Sequence, residues 1–242
     1  MITDPRLDII TRRLENVEKI IAVSSGKGGV GKSVVASALA LRLKEKGHSV
    51  GLLDLDFTSP SSHVILGVEG LYPEEEYGII PPMAHGLRYM SITFYSQDKP
   101  APLRGADTSD AIIELLAITL WGNLDYLIVD MPPGIGDATL DMIRLVERIR
   151  FLVVCTPSKV AYETVRKQVR LLHDLNIPTT GIIENMVMKP TTYVSERAEE
   201  DNTTYLGAIN YDPMLEDALG DVELLKKTEF YDSIKDLTEK IG

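Results

Sequence analysis

One stretch near the amino terminus, Ser24–Ser33, has the residue types and spacing of a phosphate-binding loop. Its sequence is SSGKGGVGKS, in which Gly26 and Gly31 are separated by four residues and a lysine and a serine follow. The glycines let consecutive backbone N–H groups turn inward around an anion, Lys32 supplies a cation, and Ser33 supplies a hydroxyl to Mg²⁺. An ordinary glycine-rich turn is the competing interpretation, but the complete pattern favours nucleotide binding.

The elements on either side of this loop must position it. Residues 20–23 are an apolar run that predicts a buried strand, and residues 33–46 have the apolar spacing of a helix. A strand, a glycine-rich turn and a helix form the context in which this motif binds phosphate, because the start of the helix adds a partial positive charge. A second buried strand at 50–54 completes one βαβ unit.

Acidic residues follow two further apolar runs. Asp54 and Asp56 lie at the end of the second strand, and Asp130 ends a third run. Ligands of open α/β sheets bind at the carboxyl ends of the strands. We therefore expect Ser33 and Asp130 to hold Mg²⁺, and Asp54 and Asp56 to divide two tasks, ordering the metal's ligand shell and positioning the attacking water. A turn or helix-cap role for each acid is the alternative.

The alternation of strands and helices continues to the carboxyl terminus. Further strands are predicted at 87–92, 126–130, 151–155, 179–184 and 205–209, and further helices at 7–19, 109–120, 160–175 and 230–241. Residues 67–86 are expected to form an exposed loop or hairpin, residues 95–106 a loop, and residues 186–204 an irregular polar segment. The pattern predicts one α/β domain over residues 1–242, a three-layer P-loop NTPase fold with a mostly parallel sheet, helices on both faces, and the amino-terminal helix packed on it.

The composition limits the partners and the compartment. The 242 residues include 25 basic and 36 acidic side chains, and the resulting net charge of −11 argues against nucleic-acid or anionic-membrane binding as the main activity. No apolar run has the length of a membrane span or the form of a signal peptide. The one cysteine, Cys155, cannot form an intramolecular disulfide, so we expect a reducing compartment, the cytoplasm. The four histidines lack metal-ligand spacing.

Several motifs resemble those of a known family. The segment GKGGVGKS resembles the deviant Walker A motif of the MinD/ParA superfamily, and residues 52–61, LLDLDFTSPS, resemble the "LLDADIxGPS" segment of its Mrp (ApbC) family. Four further segments are similar to Mrp motifs: Leu103-Arg104-Gly105 to "WRGP", residues 121–137 to "WGxLDYLIIDxPPGTGD", residues 156–158 with 165–167 to "TPQ…VRK", and residues 183–186 to "VENM". The resemblance covers most of residues 10–220.

The resemblance implies an ATPase with slow hydrolysis whose two subunits close face to face around two ATP molecules. It implies that Lys27 reaches the phosphates held by the partner subunit and that Asp56 is the switch I acid near the attacking water. Asp130 would be the Walker B acid, Asp137 a switch II residue, and Asn185 a contact to the adenine base, to which an asparagine offers both a donor and an acceptor. The predicted catalytic residues are Lys27, Lys32 and Asp56; the predicted nucleotide-binding residues are Gly26, Lys27, Gly28, Gly29, Val30, Gly31, Lys32, Ser33, Val34 and Asn185; and the predicted metal ligands are Ser33, Asp54 and Asp130.

One departure from the family concerns its cargo site. Mrp-family iron–sulfur carriers have a Cys-x-x-Cys pair shortly after "ENM" that bridges a cluster between two subunits, whereas residues 187–193 here are VMKPTTY. Cluster ligation needs several thiolates, and Cys155, at the end of a core strand, is better interpreted as a small buried hydrophobe.

Three uses of an ATP-driven switch therefore stay open. The first is iron–sulfur cluster assembly, with thiolates supplied by another protein or by a cysteine-bearing paralogue in a heterodimer. The second is a MinD/ParA-like regulatory or positioning switch that recruits a protein partner without binding a cluster. The third is a metabolic kinase or ligase.

Overall fold

The computed structural model describes residues 4–96 and 106–241. The strands are β1 (Val17–Ser25), β2 (Val50–Asp54), β3 (Glu74–Glu75), β4 (Ile79–Ile80), β5 (Met83–Ala84), β6 (Leu87–Ser91), β7 (Leu124–Asp130), β8 (Ile149–Cys155), β9 (Thr179–Val187) and β10 (Tyr205–Asn210). The helices are α1 (Pro5–Leu14), α2 (Lys32–Glu45), α3 (Ser62–Ile65), α4 (Thr93–Ser96), α5 (Ala106–Ile118), α6 (Asp137–Leu145), α7 (Lys159–Asp174), α8 (Tyr193–Glu200), α9 (Leu215–Ala218), α10 (Val222–Leu225) and α11 (Glu229–Ile241).

Within the described ranges, eight strands form one sheet in the order β10-β9-β8-β1-β7-β2-β6-β5. Neighbouring strands from β10 to β6 pair in parallel, and β5 pairs antiparallel with β6 at the edge. The strands β3 and β4 form a separate antiparallel hairpin. This mostly parallel sheet with helices around it confirms the predicted α/β fold class.

Strand β1 explains why the sheet is covered on both faces. Successive side chains of a strand point to opposite faces. Ile21 and Val23 pack in the cluster that contains α2 and α11, whereas Ile20 and Ala22 pack in the cluster that contains α1, α5 and α6. A strand buried on both faces has a continuous apolar run, which is the pattern that predicted β1.

The register of the three central strands brings the predicted site together. β7 lies between β1 and β2, and Asp130 is the register partner of both Val23 and Asp54. The chain after Asp130 stays close to β1, because the Gly134 N–H donates to the Ser25 carbonyl at 2.8 Å. The phosphate-binding loop and both acidic strand ends therefore lie at one edge, the carboxyl edge of the sheet.

The structure corrects several predicted boundaries. The irregular segment predicted at 186–204 is wrong, because β9 continues to Val187 and α8 spans Tyr193–Glu200. Helix α8 buries only Val194 and Ala198, one turn apart, so its apolar signal is too sparse to be found in a polar stretch. The amino-terminal helix ends at Leu14 rather than at residue 19, since β1 already begins at Val17. The hairpin expected within 67–86 is present as β3–β4.

Residues 97–105 lie outside the described residues, so most of the loop expected at 95–106 and the whole Leu103-Arg104-Gly105 motif are not described. Among the helices that the structure describes, none is long and apolar enough to cross a membrane.

Candidate functional site

The loop between β1 and α2 has the backbone of an anion cradle. Gly29 and Gly31 have left-handed φ angles of +75° and +78°, and Gly31 is the N-cap residue directly before α2. A Cβ atom on Gly31 would lie 2.3 Å from Nδ2 of Asn185. Two features therefore require glycine at position 31, namely the left-handed backbone and the close approach of Asn185.

Lys32 and Asp130 form a buried ion pair below the loop. The Lys32 ammonium donates to Oδ1 of Asp130 and lies 3.3 Å from Oγ of Ser33. Lys32 is 6% exposed and Asp130 is fully buried. Burial raises the pKa of Asp130, and the positive charge of Lys32 opposes that rise. Oδ2 of Asp130 has no hydrogen-bond partner among the described residues, so its lone pairs can accept from a metal-bound water or hold Mg²⁺ together with Ser33.

Asp54 fixes the segment that carries Asp56. Oδ1 of Asp54 accepts from the Asp56 N–H at 3.0 Å, and Oδ2 accepts from the Ser62 N–H at 3.1 Å and from the Ser62 hydroxyl. Burial raises the pKa of Asp54, and these hydrogen bonds oppose the rise. Asp54 thus already has three donors in its own segment, while its expected role as a magnesium ligand stays a prediction.

Asp56 lies in a tight polar turn beside the loop. One of its carboxylate oxygens, Oδ1, accepts from the Thr58 hydroxyl at 2.7 Å and from the Ser59 N–H at 3.1 Å. Its second oxygen is not used in this turn, and Asp56 lines the cleft described next. The carboxylate is therefore held in one orientation beside the phosphate-binding loop.

A cleft of about 470 Å³ lies over the loop. Its walls come from the loop, from the segment after β2, and from the residue Pro133 that follows β7; the lining residues are Ser25, Gly28, Gly29, Gly31, Lys32, Ser33, Val34, Asp56, Thr58, Ser59, Ser61, Val64, Ile65, Pro133 and Leu219. A volume of this size accommodates a nucleotide-sized ligand. Thr58, Ser59 and Ser61 were not predicted as site residues, although they belong to the same motif as Asp56, residues 52–61.

The other predicted residues lie around this cleft in different environments. Lys27 is exposed, and Val30 is buried beneath the loop. Nδ2 of Asn185 donates to the Val30 carbonyl at 2.9 Å, and Asn185 is 2% exposed, so it braces the loop from below. Its contact with an adenine base stays a prediction. Asp137 is exposed at the first turn of α6, which begins directly after Gly136.

Cys155 does not have the properties of a reactive thiol. It ends β8, is fully buried among apolar side chains, and is the register partner of Glu184. Burial and the neighbouring Glu184 raise the pKa of its thiol. A buried, protonated thiol is a poor nucleophile and a poor metal ligand.

Comparison with known proteins identifies the family. A family model described as "ParA: NUBPL iron-transfer P-loop NTPase" matches residues 16–241. The chain belongs to this family of ParA-type iron-transfer P-loop NTPases. A family member from Aquifex aeolicus, named iron-sulfur cluster carrier protein, is 40% identical over 218 residues, which is 84% of this chain and 60% of the relative. The chain thus matches less than two thirds of that relative's length.

Solved structures of related proteins have the same architecture. A nucleotide-binding protein from Archaeoglobus fulgidus, solved in complex with ADP, superposes with a TM-score of 0.76 at 30% identity and covers 91% of this chain and 93% of its own. The septum site-determining protein MinD from Pyrococcus horikoshii, complexed with Mg-ADP, superposes with a TM-score of 0.69 at 20% identity, covering 93% of this chain and 96% of its own. At that identity, the second likeness supports the fold alone.

Proposed function

We propose that this chain is an Mg-ATP-dependent ATPase that works as a nucleotide-switched dimer. The observation that carries the proposal is the convergence of the phosphate-binding loop and Asp56 on one cleft at the carboxyl edge of the sheet, with Asp130 paired to Lys32 directly below the loop. The ADP bound to the related Archaeoglobus protein supports a nucleotide in this cleft. Membership of an iron-transfer P-loop NTPase family favours such a switch over a metabolic kinase or ligase.

Each polar residue of the site has a task in this proposal. The N–H groups of residues 28–32 and the start of α2 cradle the phosphates, and Lys32 moves from Asp130 to the outer phosphates. Ser33 and Asp130 hold Mg²⁺, which supplies charge neutralisation at the phosphates. Asp56, kept in one orientation by Thr58 and Ser59, accepts a hydrogen bond from the attacking water.

We assign Lys27 to the phosphates that the partner subunit binds. Its side chain is exposed at the edge of the cleft's loop, and no carboxylate of the described residues pairs with it. A cation offered from across an interface stabilises charge that develops during phosphoryl transfer, as an arginine finger does. Two copies of the chain would then be required for full turnover.

The proposed cargo of the switch, an iron–sulfur cluster, has less direct support than the proposed ATPase activity. The Aquifex relative is named for cluster carriage, but the only cysteine in this sequence is buried with a raised thiol pKa. We propose that thiolates for a cluster come from a partner protein or a cysteine-bearing paralogue, in a reducing cytoplasm. The absence of an accessible thiol in this sequence specifically favours the second candidate, a regulatory switch that recruits a protein partner without a cluster.

Two lysine variants test the nucleotide proposal. We expect Lys32→Ala to abolish ATP binding, because it removes the cation from the cradle, and Lys27→Ala to keep most of the binding while hydrolysis falls by a factor of about 10³. Binding is measured with a fluorescent ATP analogue and hydrolysis by phosphate release. Normal turnover in the Lys27→Ala protein would contradict the assignment of Lys27 to the partner subunit.

Anaerobic reconstitution with iron and sulfide tests the cargo. Iron and acid-labile sulfide are measured per dimer with and without ATP, for the native chain and for Cys155→Ser. We expect no stoichiometric cluster in either protein when it is alone. A stable cluster that disappears in Cys155→Ser would overturn the proposed source of the thiolates and leave the nucleotide assignment intact.

A further inference from the structure

A second cleft, of about 510 Å³, lies at the edge of the sheet opposite the nucleotide cleft. Its walls come from the end of α1, the β4–β5 connection, the start of β6 and the chain before β7. We call it the arginine cleft and define it by Arg12, Arg13, Pro81, Met83, Arg88 and Trp121. Because Arg88 is the second residue of β6 and Trp121 precedes β7, the arginine cleft lies at the amino edge of the sheet.

The three guanidinium groups of the cleft have no acidic partner within the described residues. No carboxylate of residues 4–96 and 106–241 lies within 4.0 Å of Arg12, Arg13 or Arg88. Six other arginines of the same ranges do have such partners: Arg6, Arg42, Arg144, Arg166, Arg170 and Arg197. In a chain with 36 acidic residues and a net charge of −11, this cleft is a local concentration of uncompensated positive charge.

Two of the arginines are held in place by backbone groups. Arg13 donates to the Ala117 carbonyl at 3.1 Å and to the Tyr77 carbonyl at 3.2 Å. Arg88 lies against Gly122, where a Cβ atom would be 2.4 Å from Nη1 of Arg88 and where φ is +61°. A guanidinium that is already ordered loses less side-chain entropy when it binds a carboxylate.

The wall beside these charges carries one exposed apolar side chain. Met83 is 56% exposed, and it is the register partner of Arg88, so the two side chains lie next to each other on one face of the β5–β6 hairpin. Pro81 and Trp121 are buried behind Met83, and Ile80 and Leu120 are half-buried beside it. Arginine, methionine and aromatic residues are the types enriched in protein–protein interfaces.

We propose that the arginine cleft docks an acidic segment of a protein partner, whose carboxylates meet the three arginines and whose apolar side chain packs on Met83. The proposed dimer closes at the carboxyl edge of the sheet, so the arginine cleft at the amino edge faces away from the second copy, which favours a different protein. The proposal is separate from the nucleotide site, because the two clefts share no lining residue.

A library of eight-residue peptides tests this assignment. Each peptide carries Asp or Glu at several positions and one Leu, Met or Phe, and each has a counterpart with Asn and Gln. Binding to the full chain is measured by fluorescence anisotropy. We expect acidic peptides to bind better than their neutral counterparts, with an affinity that falls as NaCl rises from about 50 to about 300 mM, because exposed charges are screened.

A pair of charge reversals locates the binding. Arg12→Glu changes an exposed cleft residue and is expected to weaken the best peptide by about tenfold or more. Arg150→Glu makes the same change of charge at an exposed position outside the cleft and is expected to leave binding unchanged. Thermal unfolding verifies that both variants are folded.

Three outcomes would overturn the proposal. In the first, no acidic peptide binds better than its neutral counterpart. In the second, Arg12→Glu and Arg150→Glu weaken binding equally, which indicates general electrostatic attraction. In the third, citrate or inorganic phosphate at low millimolar concentration displaces the peptide completely, which assigns the cleft to a small anion. Lys32→Ala is expected to bind the peptide normally, so a failed nucleotide assignment would not affect this test.

Discussion

The buried pair of Lys32 and Asp130 is the residue-level feature on which the stability of the site depends. Moving both charges out of water is costly, and each of the two compensates the other. A lone carboxylate at the position of Asp130, fully buried between β1 and β2, would have no such compensation. The pair therefore links the fold to the site, since the residue that we propose binds phosphate also neutralises the core acid.

Stability measurements on this pair should show that coupling. We expect Lys32→Met to lower the free energy of unfolding by about 3 kcal/mol, because it leaves Asp130 buried and unpaired. The double variant Lys32→Met/Asp130→Asn should recover most of that loss, since it removes the stranded charge. Urea unfolding followed by circular dichroism gives both values. A double variant no more stable than Lys32→Met would show that the loss comes from packing rather than charge.

Gly31 offers a second prediction at the residue scale. We expect Gly31→Ala to lower the free energy of unfolding by about 2 kcal/mol, through left-handed strain and the clash with Asn185, and to reduce ATP affinity by distorting the start of α2. Gly28→Ala is the matched control, because a Cβ there meets nothing within 4 Å. If the two variants unfold at the same urea concentration, the close packing of Asn185 on the loop is not what constrains Gly31.

At the scale of elements, helices α7 and α8 are joined by an acidic residue at the end of α8. Asp201 accepts from the Tyr162 hydroxyl at 3.1 Å and from Nε of Arg166 at 3.0 Å, and Arg170 lies 3.6 Å away. The three α7 residues are spaced four apart, so they form one stripe facing α8. The side chain of Asp201 is 5% exposed, which strengthens these contacts relative to surface pairs.

A substitution that removes the charge of Asp201 tests this connection. We expect Asp201→Asn to lower the melting temperature by about 3 °C, because the two arginines lose the negative charge and one of the two acceptor oxygens becomes an NH2 donor. Asp174→Asn, at the exposed end of α7 and outside any ion pair of the described residues, should change it little. Differential scanning calorimetry compares the two. Equal melting temperatures for both variants would mean that α8 is held by Val194 and Ala198 alone.

The strands could be predicted from the sequence because they are buried on both faces. The runs that became β1, β2, β7 and β8 are continuous and apolar, and each lies close to its expected range. Helices α6 and α8 were not predicted, since α6 is short and directly follows a loop with two glycines, and α8 has few apolar residues among its charges. Tertiary contacts determine the secondary structure of such segments, and the sequence pattern within one short window carries no information about those contacts.

The same limit applies to the candidate site. The loop and the strand-end acids follow from local motifs and from the rule that ligands bind at the carboxyl ends of strands. The hydrogen bonds of Asp54 to Ser62 and of Asn185 to Val30 join segments that are separated in sequence, and only folding brings these segments together. Residue type and spacing say where a polar group lies, but its partners depend on the packing of the whole domain.

At the scale of the whole molecule, exposed apolar side chains lie on the same side as the nucleotide cleft and form what we call the apolar rim. These large hydrophobic residues follow the carboxyl ends of five strands, namely Val64 after β2, Ile135 after β7, Val160 after β8, Met188 after β9 and Met214 after β10. Lys27 lies on the same side of the molecule, in the loop after β1. In the proposed dimer, in which each site takes Lys27 from a second copy, this rim is the surface on which the two copies would close.

A glutamate in that rim should separate nucleotide binding from dimer formation. We expect ATP to shift the native chain toward a dimer, measured by light scattering after size exclusion, and Val160→Glu to stay monomeric, because closure would bury an unpaired charge at a residue that is 76% exposed in the single chain. Its ATP affinity should stay normal, since Val160 does not line the cleft, while hydrolysis should fall as in Lys27→Ala. Leu175→Glu introduces the same charge at the other end of α7, at a residue 44% exposed, and should still form dimers. ATP-induced dimers of Val160→Glu with full hydrolysis would place the contact between subunits elsewhere on the molecule and remove the reason for assigning Lys27 to the partner.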